Sequence, residues 1–162
     1  MDVHLSHSIS NNVENPFSCR RIFLFLQNIV SSITAINPEL AYKLYLQIAL
    51  VASSYVLPSI TTDFNSIAYE YIVQAFSIYE DDISDQKKQM SALTAMVGTL
   101  LSCKTFDEKS VVTFVTKTAQ CSARLMKKMD QCKMVSLCSY LFYTGDDNVS
   151  EYCTVWMHYI LL

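Results

Sequence analysis

Four acidic side chains, Glu80, Asp81, Asp82 and Asp85, are the sharpest local feature of the sequence. Carboxylates at this density can hold a divalent cation. A calcium loop needs oxygen ligands at alternate positions, a central glycine for the turn and a closing glutamate. The run has neither the glycine nor a spaced glutamate, so no metal site is expected. Two readings stay open. One is a solvated corner between helices with an acidic bias that complements a helix N-terminus. The other is a corner that faces a partner, and on it Glu80, Asp81, Asp82 and Asp85 are the candidate partner-binding residues.

Other reactive residue types are badly placed for chemistry. The histidines are His4, His7 and His158, near the two ends of the chain. Zinc sites and Cys–His nucleophile pairs both need a histidine in the body of the fold. The cysteines are Cys19, Cys103, Cys121, Cys132, Cys138 and Cys153, with no C-x-x-C pair. They read as reduced, small core residues of a cytosolic chain. The opening MDVHLSHSIS has no apolar core or basic flank and does not read as a signal peptide. Arg124, Lys127, Lys128 and Lys133 read as a solvated face. With no titratable set in a catalytic arrangement, neither an enzyme nor a cofactor is expected.

The elements that carry these residues are set by composition. Of 162 residues 51% are hydrophobic and 17% charged, with 2 glycines and 3 prolines. Typical usage would give roughly 11 and 8. Glycine-rich phosphate loops and tight hairpins need residues that tolerate positive φ, and these are scarce. A net charge of −3 gives no electrostatic case for nucleic acid. Leu44–Thr62 lacks formal charge but holds Gln47, Ser53, Ser54 and Pro58, which fits a helix buried among helices better than a membrane span.

Residues 1–15 read as a disordered N-terminus. A first helix runs from Pro16 or Ser18 to about Ile36, with Ile22, Phe23, Leu26, Ile29, Val30 and Ile33 at i, i+3, i+4 spacing. Leu24 and Phe25 fall off that face, so more than one side should be covered. Asn37-Pro38-Glu39 is a helix start, giving a second helix to about Ser54. Tyr55–Asn65 reads as a loop. A third helix runs from about Ser66 to Glu80. A fourth, capped by Asp82 or Ser84, ends near Cys103 with a stripe of Met90, Leu93, Val97, Leu100 and Leu101. Gly98 inside it implies a close helix crossing. Asp107 caps a fifth helix reaching about Lys128, with Glu108 and Arg124, Lys127 and Lys128 matching the dipole at its two ends. Asp130 caps a sixth, from Gln131 to Tyr143. Six short helices with brief connections predict an all-α fold, an α-solenoid of stacked antiparallel HEAT-like hairpins.

Ile67–Gln89, IAYEYIVQAFSIYEDDISDQKKQ, resembles the C-terminal half of the vacuolar protein sorting-associated protein 35 family, the large subunit of retromer. INPELAYKLYLQIALVA (Ile36–Ala52) and ARLMKKMDQCKMVSLCSYLF (Ala123–Phe142) agree in order. The resemblance spans residues 16–145; residues 146–162 read as an apolar tail outside it. Where the family has a proline before Asp130 the chain has Met129, which implies a weaker helix stop.

The resemblance implies a non-enzymatic solenoid scaffold in endosome-to-Golgi or plasma-membrane retrieval. It implies a partner, the phosphoesterase-like vacuolar protein sorting-associated protein 29. Other retromer subunits and sorting nexins would be reached through the full-length protein, and endosomal membrane only peripherally, from the cytoplasm, through the complex. The alternative is a truncated or mis-called gene product with an incomplete interface.

Overall fold

The computed structural model describes residues 16–54, 64–103 and 106–142. Six helices follow in order: α1 (Pro16–Thr34), α2 (Pro38–Ser54), α3 (Phe64–Asp81), α4 (Gln86–Ser102), α5 (Glu108–Ala123) and α6 (Lys128–Phe142). No strand occurs among the described residues. Both expected terminal segments, all three histidines, Gly145 and most of the Tyr55–Asn65 loop lie outside them.

The α1–α2 turn closes with the Asn37 N–H donating to the Ile33 carbonyl at 2.8 Å. Asn37 then caps α2, its Oδ1 accepting from the Leu40 N–H at 3.1 Å. α2 packs most extensively against α3. Small residues allow that approach: Ala41, Ala49, Ala68 and Ala75 are fully buried.

Consecutive helices alternate between two layers. α2, α4 and α6 form one, in contact in that order. α2 and α4 run parallel, because they are bonded at both ends. Near their starts the Tyr42 hydroxyl donates to the Ala92 carbonyl at 2.6 Å, and near their ends Ser53 Oγ donates to Cys103 Sγ at 3.3 Å. α1, α3 and α5 form the other layer, joined by aromatic rings. Phe23 meets Phe64 at 5.9 Å and Tyr71 at 6.4 Å. Further along, Phe114 meets Tyr69 at 4.8 Å and Phe76 at 6.1 Å. The result is a two-layer stack of helical hairpins, the solenoid expected.

A repeat faint in the letters is explicit in the bonds. Ile83 is buried just before α4, and its carbonyl accepts from Gln89 Nε2 at 2.9 Å. Leu125 is buried just before α6, and its carbonyl accepts from Gln131 Nε2 at 2.6 Å. Both pairs span six residues and lie 42 apart, inside the period of roughly 40–47 for HEAT and armadillo repeats.

These corners also move several expected boundaries. α5 ends at Ala123, not near Lys128, because Leu125 turns inward to seal the corner. Lys127 and Lys128 are therefore not at its C-terminus; only Arg124, as C-cap, lies there. Asp130 does not cap α6 but sits in its first turn, accepting from Gln86 Nε2 at 2.7 Å. Met129 likewise lies in a helix start, so it weakens no stop. α3 begins at Phe64, earlier than Ser66, because burial of that ring against Phe23 extends the helix. Leu101 lies off the buried stripe of α4 and is exposed, while Ala92 and Met96 take inner positions.

Gly98 is not at a close crossing. A Cβ built there meets no atom within 4 Å. The residue therefore only loosens the unfolded chain and the helix. Gly98→Ala is expected to raise the unfolding free energy by about 0.5–1 kcal/mol, read as a higher thermal midpoint. A loss of stability would show that a neighbour occupies that space.

Candidate interaction surface

The acidic run lies where α3 ends and α4 begins, and the fold divides its members. Asp85 is the N-cap of α4, its Oδ1 accepting from the Lys88 N–H at 3.0 Å. It takes the role expected of Asp82 or Ser84, because burial of Ile83 places the corner one residue later. Asp81 accepts from Ser77 Oγ at 3.0 Å, one turn back on α3. Asp82 is exposed. Asp85→Ala is expected to cost about 1 kcal/mol through the lost cap, whereas Asp82→Ala should stay within about 0.5 kcal/mol. Urea midpoints of the two variants compare them directly, and equal losses would refute the division.

Glu80 alone points across to the neighbouring repeat. Its carboxylate lies 3.0 Å from Lys117 Nζ on α5, and that ammonium stands 4.9 Å from the centre of the Phe76 ring. Both partners are more than a third exposed, so the pair orients side chains more than it stabilises the fold. Glu80 borders two adjoining concavities. One, of about 330 Å³, is lined by Tyr79, Gln89, Cys121, Arg124 and Leu125. The other, of about 570 Å³, runs along α5 past Thr113, Thr116, Lys117 and Gln120. Together they make a shallow groove between α3 and α5. Its walls combine hydroxyls and amides with the apolar Val112 and Leu125 and the Cys121 thiol, and it carries one carboxylate and two cations. Lys117, Gln120 and Arg124 are not among the partner-binding candidates read from the sequence. Only the packing of α5 beside α3 brings them to Glu80.

The thiol on the groove floor is not a nucleophile at neutral pH. Burial first, then the Glu80 charge, against the pull of Lys117 and Arg124, together hold Cys121 up at about 11. Burial also raises Cys103 and Cys138, with Ser53 and Ser122 pulling the other way. These three are buried free thiols, as expected for core cysteines. Cys132 is exposed instead, because it lies on the outer face of α6. Among the described residues no three His, Cys, Asp or Glu side chains converge on a metal position, and no helix is long and apolar enough to cross a membrane. The geometry is that of a contact surface that can hydrogen-bond and pair charges.

Fold and surface together define a helical-repeat protein whose sides are available for contact. Comparison with known proteins gives the family. The profile described as "Vacuolar protein sorting-associated protein 35" matches residues 3–156, reaching beyond residues 16–145 at both ends. Vacuolar protein sorting-associated protein 35B of Arabidopsis thaliana is 40% identical over 134 residues, 82% of this chain and 16% of that protein. Its relative 35A is 37% identical over 140 residues, 82% and 17% of the two chains. Vacuolar protein sorting-associated protein 35 of Schizosaccharomyces pombe is 35% identical over 113 residues, 68% and 13%. The chain belongs to the vacuolar protein sorting-associated protein 35 family. It spans about a sixth of the length of these relatives.

Proposed function

We propose that this chain is a non-enzymatic scaffold segment of retromer, acting in retrograde transport from endosomes to the Golgi or the plasma membrane. Its partner on this reading is the phosphoesterase-like subunit, vacuolar protein sorting-associated protein 29. It would work from the cytoplasm, reaching the endosomal membrane, other retromer subunits and sorting nexins only through the assembled protein. The observation that carries the reading is family membership joined to a repeat stack with a groove of mixed charge at α3 and α5. A stack tied by long-range bonds such as Tyr42–Ala92 and Tyr71–Phe23 presents that groove without reordering, which lowers the entropic cost of docking. Glu80, Lys117 and Arg124 are the proposed contacts; Asp81, Asp82 and Asp85 border them.

The test is capture of the phosphoesterase-like subunit by the full 162-residue chain, with helicity checked beforehand. Binding is expected, and Lys117→Glu should weaken it about tenfold or more, since it leaves two carboxylates facing one another. Absence of binding at high micromolar concentration from a folded sample overturns the proposal. A second reading, a chain with an incomplete interface and no independent function, draws on the apolar residues left exposed on α1. It predicts that non-binding result.

A further inference from the structure

A further concavity, separate from the groove between α3 and α5, lies between α1 and α3 and measures about 290 Å³. That size sits at the lower end of small-molecule pockets, which run from ~300 to ~1,000 Å³. Its floor is apolar and fixed. The Phe23 and Tyr71 rings are buried with their centres 6.4 Å apart, and the Tyr71 hydroxyl donates to the Phe23 carbonyl at 2.6 Å. That bond ties one wall to the other, so the cleft keeps its shape without a ligand. Ile67, partly buried, adds to the floor. Leu24 and Phe25, expected to be covered, are both open, and Leu24 stands at the rim of this cleft.

Four polar side chains line the same cleft, Arg20 and Gln27 from α1 and Glu70 and Gln74 from α3. None is engaged within the chain. Among the described residues Arg20 and Glu70 form no ion pair, with each other or with any other side chain, and the Gln27 and Gln74 amides form no side-chain hydrogen bond. Arg20 and Glu70 thus carry opposite charges into one small cleft yet stay beyond the 4.0 Å of a direct pair. A molecule bearing both charges fills that gap. Its carboxylate takes the planar fork of the guanidinium, and its ammonium takes the carboxylate opposite. With one cation and one anion the cleft favours neither a polyanion nor a polycation. The apolar floor asks for a bulky hydrocarbon group joined to both charges.

We propose that the cleft between α1 and α3 binds a free α-amino acid with a large apolar side chain, such as leucine or phenylalanine. The side chain rests on Phe23, Ile67 and Tyr71, the carboxylate pairs with Arg20 and the ammonium with Glu70. The Gln27 and Gln74 amides, each both donor and acceptor, serve the remaining hydrogen-bonding positions of the two charged groups. Arg20 and Glu70 are exposed, so solvent screens both pairs and half-saturation falls near ~1 mM.

Titration of the methyl-labelled 162-residue chain with L-phenylalanine, followed by NMR, tests this. The Leu24 and Ile67 methyl resonances should shift and saturate together. Arg20→Gln and Glu70→Gln should each weaken binding about fivefold or more, through loss of a charge-assisted bond. Arg21→Gln removes an exposed charge of the same helix that does not line the cleft, and should change the affinity less than about twofold. N-acetyl-L-phenylalaninamide keeps the ring but neither charge, and should bind about fivefold or more weakly. Methyl resonances unmoved at ~20 mM phenylalanine overturn the proposal. Equal binding of the capped derivative also overturns it, because the cleft would then take an apolar residue of a peptide. Unchanged affinity in either Arg20→Gln or Glu70→Gln overturns it as well.

Discussion

Phe114→Ala is expected to lower the unfolding free energy by about 3–5 kcal/mol, the range for removing a large buried ring. Phe114 is 2% exposed. Its ring touches Tyr69 at 4.8 Å, Phe76 at 6.1 Å and Phe106 at 5.6 Å, the last edge-on. It thus ties α5 to α3, and the segment before α5 to both. Aromatic pairs add about 0.5–1.5 kcal/mol each beyond the area they bury. The cavity left by alanine is bounded by residues of two helices already fixed by other contacts, so it closes little. Typical domain stability is about 5–15 kcal/mol, so the loss removes a large share of it. Phe114→Leu keeps most of the volume and should cost about 1 kcal/mol, the ring contacts alone. Val112→Ala, on the exposed side of the same helix, should stay within about 0.5 kcal/mol. Urea unfolding with unchanged slope measures all three. A loss below about 1 kcal/mol for Phe114→Ala would mean that the layer of α1, α3 and α5 does not depend on this ring.

The second large effect is alkaline. Burial, with a smaller contribution from the nearby Tyr45, pushes Tyr71 up to about 12. Tyr42 and Tyr79 are raised further, by burial first. Cys121 rises from 9.0 to about 11. Each group keeps its proton in the folded chain at pH values where the unfolded chain has lost it. The folded state then binds more protons, so unfolding becomes easier as pH rises. The stabilisation is complete below the unfolded values, 9.0 for the thiol and 10.0 for the phenols, and is lost progressively above them.

Each such group contributes a slope of about 1.4 kcal/mol per pH unit. Four acting together should consume a typical domain's stability by about pH 11–12. Denaturant titrations at stepped pH should therefore be flat to about pH 9 and then fall steeply. The tyrosinate absorbance of the buried Tyr42, Tyr71 and Tyr79 should appear together with the loss of helical circular dichroism. Tyr71→Phe should remove about one proton's worth of slope, along with the 2.6 Å bond from its hydroxyl to the Phe23 carbonyl. Ionisation of Tyr42, Tyr71 and Tyr79 near pH 10.0 in a chain still helical would refute the burial argument.

Much of the fold was legible because the responsible signals are local. Asn37-Pro38-Glu39 fixes the start of α2 without help from any other element. The shortage of glycine and proline, with apolar residues at helical spacing, leaves an all-helical chain as the consistent outcome. Short connections bring α1 onto α2 and α5 onto α6 as hairpins, but α3 packs on α2, across the longer connection, rather than on α4. The errors are equally local in origin. Asp82, Ser84 and Asp85 are all chemically able to cap α4, and sequence offers no means of choosing. The choice fell to Asp85 because Ile83 had a buried place to fill. Gly98 looked like a crossing because glycine in a helix usually needs a reason, yet the space above it is open.

By itself, then, the sequence determined the helices, their order and the family, because capping, periodicity and a long motif are written in adjacent residues. The tertiary structure alone decided which faces meet. It set α5 beside α3, so that Glu80 meets Lys117 while Asp81 and Asp85 turn back to their own helices. It also buried one apolar stripe of α1 and left the other open. Both stripes share i, i+3, i+7 spacing, Phe23, Leu26 and Val30 on one and Ile22, Phe25 and Ile29 on the other. Which of them is covered depends on the position of α2 and α3 in space, and no local pattern encodes that position.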